Sequence, residues 1–141
     1  MNTTTCRIEI QAPVHEVWNA LSTTEGMHMW IDWVKVSTDW QVNGPIAFTI
    51  CDDNGEAMEY NGSKMIFNGV IEVKKELKEI TYSFPGKMAG IERESYVLDV
   101  INTGTTGVSF TQTCSSEERA KEQEEDQQQL METLKRKLEK N

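Results

Sequence analysis

The sequence predicts an α+β fold in which a curved antiparallel sheet of about seven strands wraps around a long C-terminal helix. Three observations carry this prediction. Apolar residues alternate with a period of two from about residue 34 to residue 115, and turn signals such as Asn61-Gly62 interrupt them repeatedly. Two short helical stretches precede this region. The segment after Ser116 consists almost entirely of good helix formers.

The N-terminal elements follow from local spacing. Thr5 to Gln11 alternates as a half-buried strand does, and Pro13 suits the first turn of the helix that is predicted to reach Leu21. A second short helix begins at Thr23 or Thr24, either of which can cap it. It carries Met27, Trp30 and Ile31 on one face.

Each central strand is indicated by a set of residues at every second position, which lie on the same face of a strand. These sets are Val34, Val36, Thr38 and Trp40; Ile46, Phe48 and Ile50; Phe67, Ile71 and Val73; Ile80, Tyr82 and Phe84; Glu92, Glu94, Tyr96, Leu98 and Val100; and Val108 with Phe110. Asn68-Gly69 falls inside an apolar stretch, which predicts a bulge or a close approach by another element. Short connections make successive strands antiparallel.

The last helix is predicted to begin at the capping pattern Ser115-Ser116-Glu117-Glu118. An apolar stripe of Leu130, Met131, Leu134 and Leu138 anchors its second half. The first half offers Ala120 and several glutamines, which gain little from burial. We therefore expect that half to be held more loosely, over a gap that contains water or opens to solvent.

Composition excludes several classes of function. The chain has 141 residues, which fits one domain over 1–141. Its net charge of −9 disfavours nucleic acid and anionic membranes as partners. No apolar run approaches the roughly 18 residues of a membrane span. Three widely spaced cysteines predict neither a disulfide framework nor a zinc site. Since no signal peptide or membrane span is visible, we expect a cytoplasmic protein, and we expect neither a metal nor a cofactor.

The order of elements and several short motifs resemble the START-like, or SRPBCC, helix-grip superfamily. Within it, the chain is most similar to the branch named after the activator of heat-shock chaperone ATPase. The motifs are the run from Ile8 to Trp18, Trp30, Asp39-Trp40 with Gly44, the run from Gly69 to Val73, Glu94-Ser95-Tyr96, and Gly104-Thr105. Two features depart from the branch: Gly44-Pro45 replaces a Gly-Gly pair, and glutamines and acidic residues replace an early Gly-Trp in the last helix.

The resemblance implies a ligand site between the sheet and the long helix. Candidate ligand-binding residues are Trp40, Phe48, Phe67, Tyr82, Phe84, Glu94, Tyr96, Phe110, Gln127 and Met131. Most of these aromatics equally suit a plain core, and Glu92 and Glu94 lie either at the cavity rim or in solvent. We expect Trp18 to be buried core. Pairing of the first and last strands would also bring Cys6 near Cys114.

The function expected from these observations is non-enzymatic binding of a small, at least partly apolar molecule. Two alternatives stay open. One is an enzyme similar to polyketide cyclases and dehydratases, with Glu94, Tyr82 and Tyr96 as candidate groups. The other is a protein-interaction module that assists a chaperone ATPase. A homodimer also stays open, and no catalytic residue is assigned.

Overall fold

The computed structural model describes residues 2–88 and 90–139, without the side chains of Lys87 and Met88. The strands are β1 (Thr3–Ile10), β2 (Val34–Thr38), β3 (Pro45–Ile50), β4 (Glu59–Tyr60), β5 (Ser63–Lys64), β6 (Ile66–Lys75), β7 (Glu79–Met88), β8 (Ile91–Asn102) and β9 (Thr105–Cys114). The helices are α1 (Val14–Ser22), α2 (Thr24–Trp30) and α3 (Glu117–Glu139).

Seven of these strands form one antiparallel sheet in the order β1-β9-β8-β7-β6-β3-β2. Apart from β4 and β5, the order follows the chain from β2 to β9. Short turns join most neighbouring strands, whereas residues 51–65 connect β3 to β6. β1 then completes the sheet beside β9, and β4 and β5 form a separate small hairpin. The predicted α+β class, seven-stranded sheet and long C-terminal helix are confirmed.

The two short helices are fixed by a cap and by buried tryptophans. Thr23 ends α1 and caps α2, where its Oγ1 accepts a hydrogen bond from the Gly26 N–H at 2.9 Å. Trp30 donates its indole N–H to the Ala20 carbonyl at 2.8 Å, which ties α2 to α1. Trp18 is 7% exposed, so its predicted burial is confirmed.

Helix α3 packs mainly against the end of the sheet that β1 and β9 form. Ser116 caps it, since its Oγ accepts from the Arg119 N–H at 3.1 Å, as the capping pattern predicts. Its contacts are chiefly with β1 and, less extensively, with β9. The β2 side of the concave face is therefore left to α2.

Gly69 explains the Asn-Gly pair inside β6. A Cβ at this position would lie 2.8 Å from the Ser83 carbonyl oxygen and 2.9 Å from the Phe84 ring. Only glycine allows this approach of β7, which agrees with the predicted close contact. The irregularity in the β6–β7 pairing lies further along, between Ile71 and Val73.

Trp40 corrects the predicted extent of β2. The strand ends at Thr38, and Trp40 has a left-handed backbone with φ +61°. Its indole N–H donates to Thr24 Oγ1 at 3.1 Å, and the Lys74 ammonium lies 6.0 Å from a ring centroid. The side chain thus fastens the β2–β3 turn to the start of α2.

The predicted proximity of Cys6 and Cys114 is wrong. β1 and β9 do pair antiparallel, but Cys6 lies opposite Phe110. The Cys114 N–H donates to the Asn2 carbonyl, four residues before Cys6. At about 3.3 Å per residue the two cysteines are roughly 13 Å apart along the strands, too far for a disulfide.

Candidate functional site

Helix α3 covers the β1 and β9 side of the concave face, and α2 covers the β2 side. An apolar cavity lies between α2, the sheet and the edge of α3. Its volume is about 180 Å³. Apart from His28 and Glu94, its wall consists of aliphatic and aromatic side chains. These are Met27, Ile31, Trp33, Val34, Val36, Phe48, Ile50, Phe67, Tyr82, Ile91, Tyr96 and Leu130.

Aromatic packing fixes the deep side of the apolar cavity. Phe48 meets the Tyr82 ring edge-on with centroids 5.6 Å apart, and Tyr96 stacks on Phe110 at 4.4 Å. The Tyr82 hydroxyl donates to the Leu21 carbonyl at 3.4 Å. Burial raises the pKa of both tyrosine hydroxyls, and the nearby Glu94 charge raises it further. Both hydroxyls are therefore neutral at physiological pH.

A second cavity, here called the polar cavity, adjoins the first and has a volume of about 480 Å³. Trp33, Ile91, Glu94 and Leu130 line both spaces. The rest of its wall comes from β9 and from α3, chiefly its first half: Phe110, Gln112, Gln123, Asp126, Gln127, Gln129 and Thr133. This space lies where the sequence predicts a gap under α3.

Glu94 and Gln112 meet at the junction of the two cavities. They are direct cross-strand partners on β8 and β9, and Gln112 Nε2 donates to Glu94 Oε2 at 2.8 Å. Glu94 is half-buried. Burial raises the pKa of its carboxyl to about 7, although the Gln112 hydrogen bond opposes the shift. Glu94 is therefore a carboxyl group that changes charge near neutral pH.

Gln112 also presents an acceptor without a protein donor. The residue is 4% exposed, and among the described residues nothing donates to its Oε1. Its amide orientation is set by Glu94, because only the Nε2 end can donate to a carboxylate. The Oε1 end therefore stays free for a donor from elsewhere.

Gln127 attaches the polar half of α3 to the sheet. Its Nε2 donates to the Thr4 and Phe110 carbonyls, each at 2.9 Å, and its Oε1 accepts from Thr4 Oγ1 at 3.2 Å. The residue is only 2% exposed. The amide thus bridges β1 and β9, which gives this half of the helix a firm polar anchor.

The structure brings most of the candidate residues to the two cavities. Phe48, Phe67, Tyr82, Glu94 and Tyr96 line the apolar cavity, and Glu94, Phe110 and Gln127 line the polar cavity. Three others lie elsewhere. Trp40 packs on α2, and Phe84 is buried beside Gly69 and Phe48. Met131 is a fully buried residue of α3 that lines neither cavity.

Several lining residues were missed by sequence reasoning. Val34 and Val36 were placed in a strand but not at a site, and Trp33 was not chosen as a candidate although it is aromatic. His28 was not a candidate either. It is exposed, yet its Nε2 accepts from the Val36 N–H at 3.1 Å at the cavity edge. Gln112 could have been found, because it shares strand parity with Phe110.

Two other features are absent from the described residues, a metal-ligand cluster and a membrane-spanning helix. No group of three or more His, Cys, Asp or Glu side chains lies close enough together to hold a metal ion there. Of the helices in residues 2–88 and 90–139, none is long and apolar enough to cross a membrane.

Comparison with known families supports the resemblance on which the site prediction rests. Residues 11–141 match the family "Activator of Hsp90 ATPase homolog 1-like protein". The chain belongs to this family. No curated protein matches the sequence.

Solved structures share the fold at low sequence identity. A solution structure from Cytophaga hutchinsonii is 23% identical, with a TM-score of 0.76 over 98% of this chain and 94% of that one. The Aha1 dimer from Colwellia psychrerythraea is 20% identical, with a TM-score of 0.71 over 99% and 97%. BexL, a di-domain ARO/CYC protein of the BE-7585A biosynthetic pathway, is 12% identical. Its TM-score is 0.76 over 99% of this chain and 47% of that chain.

Proposed function

We propose that this chain binds a small, at least partly apolar molecule between the sheet and α3 and does not transform it. The observation that carries the proposal is the apolar cavity, whose wall is aliphatic and aromatic except for His28 and Glu94. Sites for small molecules are typically concave, mostly apolar and equipped with few polar groups.

The size of the cavity limits the ligand. An apolar cavity of about 150 Å³ is large enough for benzene. A volume of about 180 Å³ therefore suits a one-ring body, and the polar cavity offers room for a substituent. This argues against long-chain lipids.

A cavity-filling variant tests the proposal. Ethylbenzene is titrated into the protein, and amide chemical shifts are followed by NMR. Val34 lines the apolar cavity, so Val34→Phe should fill part of the cavity and weaken ethylbenzene binding about tenfold or more. Val100→Phe, at an exposed position of β8, is the matched control and should bind as the parent does. Absence of binding, or equal binding by both variants, would reject the proposal. Native mass spectrometry of the purified protein would show which molecule co-purifies.

Glu94 favours a second candidate, an acid–base reaction similar to that of polyketide cyclases and dehydratases. Its carboxyl has a pKa of about 7 and lines the cavity beside Tyr82 and Tyr96. A general acid or base works best when its pKa lies near the operating pH. The fold shared with BexL agrees with this candidate but does not determine it.

A one-ring β-hydroxyketone tests this alternative. The probe 4-hydroxy-4-phenylbutan-2-one loses water to give a conjugated enone, which is followed by absorbance. Turnover by the parent and its loss in Glu94→Gln would favour the enzyme. Equal rates with and without protein would leave ligand binding as the better proposal.

A further inference from the structure

We propose that the ligand of this site is an arylalkylamine whose ammonium group binds between Glu94 and Gln112 while its ring occupies the apolar cavity. The inference rests on the proposed function and names the chemical class that the site selects. It is carried by three observations: a buried acceptor without a donor, a neighbouring carboxylate, and the charge of the walls.

The first observation is Gln112 Oε1. An unpaired polar atom that is buried costs free energy, and native structures contain few of them. The cost is removed when a ligand supplies an N–H or O–H donor. Gln112 lines the polar cavity at its junction with the apolar one, so we place the donor group of the bound ligand beside this residue.

The second observation is the fixed direction of the Gln112 amide. Its Nε2 is committed to Glu94 Oε2, so the Gln112–Glu94 pair presents acceptors to the ligand: the carboxylate and Oε1. A primary ammonium carries three donors and can satisfy both groups at once. An anionic group on the ligand would find only the second N–H of Gln112 Nε2 as a donor on this pair, directly beside the Glu94 carboxylate that repels it.

The third observation is the sign of the charge. As far as the chain is described, the walls of the two cavities include Glu94 and Asp126 but no Lys or Arg. The whole chain carries a net charge of −9. An anion is therefore repelled, whereas a cation is attracted to a carboxylate in surroundings that strengthen the interaction.

Three one-ring probes of similar size test the inference at pH 8, where Glu94 is mainly ionised. They are benzylamine, which is cationic, ethylbenzene, which is neutral, and phenylacetate, which is anionic. We expect benzylamine to bind about tenfold or more tightly than ethylbenzene, because a charge-assisted hydrogen bond contributes at least that much. Phenylacetate should bind most weakly.

Variants then assign the preference to the two residues. Glu94→Gln and, separately, Gln112→Leu should each reduce benzylamine binding about tenfold and leave ethylbenzene binding unchanged. Gln128→Leu, on the exposed face of α3, is the control and should change neither. If Glu94→Gln does not fold, Gln112→Leu and the three-probe comparison on the parent still decide the question.

The outcomes separate this inference from the function on which it rests. If none of the probes binds, the ligand site itself is rejected. If ethylbenzene or phenylacetate binds as tightly as benzylamine, the cavity stands but the amine class is wrong. Equal loss of benzylamine and ethylbenzene in Gln112→Leu would likewise show that Gln112 only supports packing.

Discussion

The two halves of α3 dock on the same side of the sheet by different means. In the second half, Met131 and Leu134 are fully buried and Leu138 nearly so. In the first half, the buried side chains are Ala120 and two glutamines, Gln123 and Gln127. The second half, residues 130–138, is called the apolar half below, and the first half, residues 117–129, the amide half. The apolar half excludes water from its contact with the sheet. The amide half is held at a few points and leaves the polar cavity beside them, so the proposed ligand site adjoins the less closely packed half.

The largest expected effect is on the apolar half. Leu134→Ala should lower the free energy of unfolding by about 3 kcal/mol, because it removes a fully buried side chain and leaves a cavity. Urea denaturation measures this loss. Lys137→Ala, at an exposed position of the same half, is the control and should change stability by less than about 0.5 kcal/mol. Similar losses in both variants would contradict the division of the helix.

The next effect concerns the carboxyl group between the two cavities. Glu94 has its pKa raised from 4.5 to about 7 by burial, so the folded protein holds this proton more tightly than the unfolded chain. The contribution to stability is present below about pH 4.5 and is lost as the pH rises through 7. Because Glu94 is half-buried, we expect the loss to be about 2 kcal/mol.

Glu94→Gln isolates that contribution. The variant should match the parent in stability near pH 4 and exceed it by about 2 kcal/mol at pH 8, since an amide never ionises. Urea titrations at several pH values measure the difference. Glu124→Gln, on the exposed face of α3, removes one carboxylate in solvent and should show no such dependence. A constant difference across pH would show that Glu94 is well solvated.

Periodicity, turn signals and helix formers in the sequence predicted the fold, and the family resemblance placed the candidate site between the sheet and the long helix. Tyr82 lies between Thr81 and Ser83, and such alternation indicates which face of a strand a residue occupies. Parity did not show where α3 would lie on the sheet. Met131 and Phe84 consequently fell in closely packed regions, whereas the predicted site included both.

The missed residues depended on non-local contacts. Trp33 lies in the connection between α2 and β2, and only the path of the folded chain brings it to both cavities. Trp40 looked like a strand residue, but a left-handed turn and a bond to Thr24 place it outside. The Cys6 prediction was wrong because β-register is set by pairing along the whole strand, which parity alone does not determine.

A smaller effect is expected on the amide half. Gln127→Ala leaves the Thr4 and Phe110 carbonyls without their side-chain donor and should cost about 1–2 kcal/mol. Gln128→Ala, one residue further along and exposed, should be nearly neutral. Amide hydrogen exchange in Gln127→Ala should quicken over residues 119–128 and stay slow over 130–138. Faster exchange along the whole helix would show that the halves are not independent.

The smallest effect is expected at the end of the apolar half, where the carboxylate of Glu139 holds the helix to the sheet. Glu139 Oε2 accepts from Lys135 Nζ at 2.6 Å and from the Gln11 N–H at 2.7 Å, which joins the end of α3 to the residue after β1. These hydrogen bonds, first that of Lys135, lower the pKa of Glu139, so they add stability above about pH 4.5 that is lost as the pH falls. The carboxylate also lies at the negative end of the helix dipole, which offsets part of the gain. Glu139→Gln should therefore cost only about 0.5 kcal/mol at pH 7 and nothing near pH 3, measured by urea denaturation beside Glu124→Gln. A loss as large as that of Leu134→Ala would mean that the hydrogen bonds of Glu139, and not the apolar stripe, hold the second half of α3 to the sheet.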